Sequence, residues 1–194
     1  MMAAVGNVMA KSKYLILAAP LLIAIAGACA TSADQAAVTT TTQPEDLVMQ
    51  AEDFVSLQDM TTVRGFFVDN RLGHLDEAVA VANSPDGGVY PVGTVIQLVP
   101  QEAMVKRAPG FDPASNDWEF FSLDVSPAGT TILTRGGAEV INRFGGTSCA
   151  DCHKKAEPKW DFVCEQDHGC DPLPIADDVI FAIQRADPRP QRSE

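Results

Sequence analysis

Apolar residues are spaced three to four apart over the first part of the folded sequence. Leu47, Val48, Ala51, Phe54, Val55 and Leu57 recur at helical spacing, with Glu45 and Asp46 in a favourable first turn after Pro44. That pattern predicts one amphipathic helix. From Arg64 the pattern changes: RGFFVDN is a short aromatic and β-branched run that ends on a turn-prone Asn. HLDEAVAVAN predicts a helix stopped by SPDGG. VYPVGTVIQLVP, WEFFSLDVS and TTILTRG predict three further strands, separated by clusters of Gly, Pro, Asn and Asp. CADCHKKAEPKW and ADDVIFAIQRADP supply short helical pieces at the end, and EAMVKR (Glu102 to Arg107) is expected as a polar loop between strands. With no internal repeat, the expected fold class is α+β, a mainly antiparallel β-sheet domain with a few short helices and a C-terminal segment that carries CADCH.

Ahead of this domain the pattern is that of targeting. Lys11 and Lys13 precede YLILAAPLLIAIAGACA, an apolar run too short for a comfortable membrane span. Ala26, Gly27 and Ala28 before Cys29 resemble a lipoprotein box, in which Cys29 becomes the acylated first residue. Cleavage after Ala30, with Ala28 and Ala30 as the small-residue pair, and an uncleaved anchor are the competing readings. TSADQAAVTTTTQPED has no apolar periodicity and suits a flexible tether. The expected organisation is a signal peptide over 1–28, a tether over 29–45 and one folded domain over 46–194, in the periplasm and anchored to a membrane only through the lipid.

Composition narrows the partners. The formal net charge is -12, and the first 28 residues contain no acidic group, so the excess of carboxylates belongs wholly to residues 29–194. Such a surface repels phosphate backbones and anionic membranes and favours a basic protein partner; nucleic-acid binding is excluded as an expectation.

The chemistry concentrates in the cysteines. Apart from Cys29 they are Cys149, Cys152, Cys164 and Cys170, and the first two belong to CADCH, with His153 directly after the second. In CxxCH each thiol adds across a haem vinyl group and the adjacent imidazole ligates iron; the two-residue gap lets both sulfurs reach one porphyrin edge. Cys149, Cys152 and His153 are therefore the expected attachment residues for one covalent haem c, with His153 as metal ligand. Four thiolates would also make a structural zinc tetrahedron, and a bare CxxC a redox pair. The loop before CADCH is not the strand that a thioredoxin-type site needs. In an oxidising compartment the second pair more naturally forms a disulfide, Cys164 to Cys170, closing the EQDHG loop.

A second axial ligand is not evident. No Met follows His153; Met49, Met60 and Met104 all lie upstream, and His74 and His168 are the remaining histidines. Met49 and Met60 fit helix core positions, Met104 a loop contact and His74 an exposed cap. His168, so close in sequence to His153, has little chain with which to reach the opposite haem face. An open sixth position is the consequence. No Ser-His-Asp or other acid-base constellation is present to suggest hydrolysis.

RGFFVDN, YPVGTVIQLV, WEFFSLD and CADCH followed eight residues later by DFV, Asp161 to Val163, together resemble the cytochrome P-460 and cytochrome c′-beta family of bacterial c-type haem proteins. The resemblance covers roughly residues 60 to 165. It implies a mainly antiparallel β fold with one c-type haem, His153 as the proximal ligand, an apolar distal side meeting nitric oxide or hydroxylamine, and frequent homodimers. The P-460 branch cross-links a lysine to haem. Here TVIQLVP has Gln97 and Leu98 where that lysine is expected, and Lys106 is the only lysine between the signal and CADCH, expected as a solvated charge or a partner for haem propionates. The functional expectation is an exported monohaem cytochrome that passes electrons to a redox partner protein or binds a small haem ligand, with haem-dependent oxidoreductase activity an open question. The competing expectation is a periplasmic binding module whose cysteine cluster is a structural zinc or disulfide site.

Overall fold

The structure, a computed structural model, describes residues 47–192. The signal segment 1–28, Cys29 and the rest of the 29–45 tether fall outside these residues. Six strands form one antiparallel meander: β1 Thr61–Val63, β2 Phe66–Asn70, β3 Thr94–Gln97, β4 Glu102–Lys106, β5 Trp118–Ser126 and β6 Gly129–Gly136, ordered along the sheet as in the chain. Three short α-helices accompany them: α1 Leu75–Asn83, α2 Cys149–His153 and α3 Asp177–Arg185. The mainly antiparallel α+β class is as expected, and among the described residues no helix is long and apolar enough to cross a membrane.

Period-two alternation sorts the sheet into two apolar faces. Val68 pairs Ile96, Ile96 pairs Met104 and Met104 pairs Phe120, so one row of buried side chains crosses four strands on the first face. Phe67, Val95, Ala103, Val105, Phe121 and Leu123 point the other way into the second cluster. Phe120 and Phe121, adjacent in sequence, serve opposite faces, as alternation requires.

The first face is covered by α1 and by the segment around α2. Only Ala78 and Ala82 of α1 are buried, and their small side chains let the helix lie close to the sheet. SPDGG ends α1 as expected, and Gly87 has a second task there. A Cβ on Gly87 would lie 2.1 Å from the carbonyl oxygen of Lys159, while the Gly88 N–H donates to that oxygen at 2.9 Å. The turn after α1 is thereby pinned to the chain beyond α2.

The second face is covered by residues 47–60, and here the structure differs from the helical expectation. The segment makes two separate 3-10 turns, Ala51–Asp53 and Leu57–Asp59. The reason lies in its carbonyls. Arg135 donates to the Met49 oxygen at 3.0 Å, and Thr130 Oγ1 donates to the Phe54 oxygen at 2.8 Å, where Arg189 also donates at 3.2 Å. Acceptors captured by the sheet and the C-terminal tail are diverted from a continuous helix. Met49, Phe54, Leu57 and Met60 still bury their side chains, as core residues of irregular chain.

EAMVKR is a second correction: it is strand β4 and its end, with Ala103 and Val105 on one face and Met104 and Lys106 on the other. Met104 is accordingly a sheet-core residue, not a loop contact. VYPVGTVIQLVP contributes only the four residues of β3, because Pro91 lacks an N–H and Gly93 turns the chain at φ 86°. The three-residue β1 has no counterpart among the predicted strands.

Candidate functional site

Helix α2 is the CADCH segment itself. Ser148 caps it, its Oγ accepting from the Asp151 N–H at 3.0 Å, and Asp151 complements the N-terminal dipole. The Cys149 N–H donates to the Val140 oxygen at 2.9 Å, tying the start of the helix to the chain after β6. Cys149 is buried in the first apolar cluster; Cys152, three residues on, is half-buried, and both are free thiols. Burial pushes the Cys149 thiol up to about 12, with the charges of Glu102 and Cys152 acting in the same direction. The Glu102 carboxyl is itself raised by burial, against a hydrogen bond that it accepts from the Arg143 N–H at 2.8 Å.

His153 is half-buried, with its ring centroid 5.1 Å from that of Phe120, the last residue of the buried row. Its Nδ1 lies 2.7 Å from the carbonyl oxygen of Phe162. A carbonyl can only accept, so Nδ1 carries the hydrogen, and the neutral ring keeps its lone pair on Nε2. Burial lowers the imidazole pKa, in part opposed by this hydrogen bond, and so favours the neutral ring.

Next to Phe162 in the chain lies a polar cluster that the sequence did not disclose. Asp161 and Phe162 are both left-handed, at φ 49° and 64°. Asp161 Oδ1 accepts from Lys106 Nζ at 2.7 Å and from Asn116 Nδ2, and its Oδ2 accepts from the Tyr90 N–H at 2.8 Å. The Asp161 backbone oxygen accepts from Trp118 Nε1 at 2.7 Å. Lys106 Nζ also donates to the Asn116 oxygen at 2.7 Å. Lys106 is therefore buried and paired, contrary to the expectation of a solvated charge. Gln97 is buried as well, its Nε2 donating to the carbonyls of Pro100 and Glu102. Only the alternation of EAMVK hinted that Lys106 faces inward; nothing local singled out Asp161.

Cys164 and Cys170 are at disulfide distance, S–S 1.98 Å, as expected. The Cys164 sulfur lies 3.9 Å from the His153 oxygen and 4.0 Å from the Cys152 oxygen, so the closed loop packs on the end of α2. The Glu157 N–H donates to the His168 oxygen at 2.8 Å, fastening the same loop to the chain beyond α2. His168 points its Nδ1 at the Val163 oxygen, 2.8 Å away, and stacks on Trp160 at 3.8 Å.

The other possible axial ligands are scattered. Met49 and Met60 belong to the opposite face of the sheet, Met104 lies in the same cluster as Cys149, and His74 is exposed at the start of α1 beside Glu77. The four cysteines do not converge as a set: two are taken by the disulfide, and among the described residues no three His, Cys, Asp or Glu side chains are arranged to hold a metal ion. α2 itself carries two free thiols, Cys149 buried and Cys152 half-buried, and the imidazole whose Nδ1 faces the Phe162 oxygen. No protein-family model, curated protein or solved structure matches the chain.

Proposed function

We propose that this protein is an exported monohaem c-type cytochrome. Cys149 and Cys152 are its thioether residues and His153 its proximal iron ligand. The observation that carries this reading is the His153 ring, whose Nδ1 is engaged by the Phe162 carbonyl at 2.7 Å while Nε2 keeps the lone pair that iron needs. The donor set fits haem better than its competitors. With Cys164 and Cys170 joined, two thiols and one imidazole remain, one short of a structural zinc tetrahedron. A redox CxxC depends on a depressed first thiol, and Cys149 is shifted the opposite way, to about 12.

Cys149 and Cys152 would hold the haem by adding their thiols across its vinyl C=C bonds, sulfur bonding to one carbon and the thiol hydrogen going to the other, so attachment would consume no oxidant. Bound haem would supply one-electron transfer to a redox partner protein or a binding position for a diatomic or small nitrogenous ligand. The chain's own part is to fix the imidazole, shield it with Phe120 and the apolar first face, and brace α2 through the Cys164–Cys170 loop. An N-terminal lipid anchor at Cys29 would keep the domain in the periplasm at a membrane surface, and the family resemblance adds homodimers to the proposal.

The test is periplasmic expression with a c-type maturation system, followed by haem staining after denaturation and a pyridine haemochrome spectrum. One covalent haem per chain is expected, lost completely in Cys149→Ser/Cys152→Ser. A colourless, zinc-containing wild type would overturn the reading. Ferrous and ferric spectra with and without nitric oxide then separate an open sixth site from a plain electron carrier.

A further inference from the structure

We propose that the buried Lys106–Asp161 ion pair is a positioning device for His153, holding the Asp161–Phe162 turn so that the Phe162 carbonyl selects the ring nitrogen left free. Its functional meaning rests on His153 being the iron ligand; the geometry itself does not.

Two successive non-glycine residues in the left-handed region, one of them aromatic, each carry a conformational cost of about 1 kcal/mol or more and persist only where the surroundings over-determine them. Asp161 supplies that constraint. Its carboxylate and carbonyl accept from Lys106 at the end of β4, from Asn116 in the turn before β5, from Trp118 at the start of β5, and from Tyr90 before β3. None of these donors belongs to the segment that carries Asp161, so two strands of the sheet and the connections beside them constrain the turn. The side chains of Lys106 and Asp161 are only 8% and 1% exposed. A pair so desolvated is a weak source of net stability, which leaves the conformation it imposes as its clearer effect. That conformation ends, one residue on, in the carbonyl that holds His153 Nδ1.

The protein contains its own control. Arg107, next to Lys106, is paired with the buried Glu119, which Arg135 also binds at 2.6 Å. This second cluster runs through Arg135 to the Met49 carbonyl, on the face of the sheet opposite His153. Loss of either cluster removes a buried ion pair; only loss of the first frees the imidazole.

The experiment uses the full mature chain, labelled with ¹⁵N at histidine, in wild type, Asp161→Ala, Lys106→Met/Asp161→Ala and Glu119→Gln. The double variant removes the unpaired ammonium that the single variant would strand, and so keeps a folded sample available. In haem-free wild type and haem-free Glu119→Gln, made without the maturation system, the His153 ring nitrogens are expected well separated, Nδ1 protonated and Nε2 bare. In the Asp161 variants the separation collapses towards that of mixed tautomers. Where haem is attached, the ferrous Fe–His stretching band moves to lower frequency in the same variants. A folded double variant with wild-type His153 signals overturns the proposal, as does an equal change in Glu119→Gln. A chain that takes up no haem when expressed in the periplasm with the maturation system would defeat the cytochrome reading but leave the nitrogen signals to decide the positioning role.

Discussion

Met104 and Val105 are neighbours in β4, yet they look into different environments. Val105 meets a second face sealed by the 3-10 turns of residues 47–60, whose backbone oxygens are held by Arg135, Thr130 and Arg189. Met104 meets a first face whose cover includes Cys149, Val163 and the Asp161 cluster. Both faces bury an ion pair and both bury aromatics. On the second face the polar groups serve the cover itself; on the first they lie beside the turn whose carbonyl faces His153 Nδ1 and leaves the lone pair on Nε2. The same alternation therefore builds a closed support on one side and an oriented chemical group on the other.

Truncation of adjacent aromatics breaks this comparison most directly. Phe121→Ala and Phe120→Ala each remove a buried ring and are expected to cost about 3–5 kcal/mol in urea unfolding. Phe121 packs against Phe54 at 4.8 Å, within the second face. Phe120 touches His153, so, on the proposed haem reading, its loss is expected also to lower covalent haem per chain, and Phe121→Ala is expected to leave it unchanged in the protein that folds. Equal haem content in both variants would mean that the two faces are functionally alike.

The next effect is smaller. Cys164→Ser/Cys170→Ser opens a six-residue separation and is expected to cost on the order of 2 kcal/mol. Because the Cys164 sulfur rests against the carbonyls of Cys152 and His153, hydrogen exchange should accelerate in α2 more than in β2 to β5. A uniform acceleration would place the disulfide's role in the whole domain instead of at α2.

How far the sequence reveals each face depends on where its constraints lie. The aromatic runs FFVDN and WEFFSLDVS announce their strands because alternation is local, and CADCH marks a candidate site because thiols and imidazole are adjacent. Residues 47–57 mislead because the helical spacing of Phe54 and Leu57 says nothing about Arg135, which takes a carbonyl from 86 residues away. Lys106 reads as solvated for the same reason: its carboxylate partner is 55 residues downstream. The three residues of β1 are too few to show a period. Asp161 stands in the DFV motif as a letter of resemblance, and only the folded chain shows its contacts with β4 and β5.

Acid titration gives the finest distinction between the faces. On the first, burial holds the His153 imidazole below its ordinary value, against the Phe162 hydrogen bond. The unfolded chain takes up that proton near pH ~6.5 while the folded ring resists it, so haem-free protein should lose stability as pH falls below that value. On the second, burial raises the Asp187 carboxyl, but hydrogen bonds from Arg189 and the Leu57 N–H more than offset this and leave its pKa lowered. That contribution is present above the unfolded value of about 3.9 and is lost only as pH drops through the folded value beneath it. Melting temperatures between about pH 7 and about pH 5 should therefore fall less steeply in His153→Gln than in wild type. Asp187→Asn should keep the wild-type slope over that range and flatten the curve only below about pH 4. If Asp187→Asn changed the slope near the histidine range, the two faces would share one titrating network instead of two.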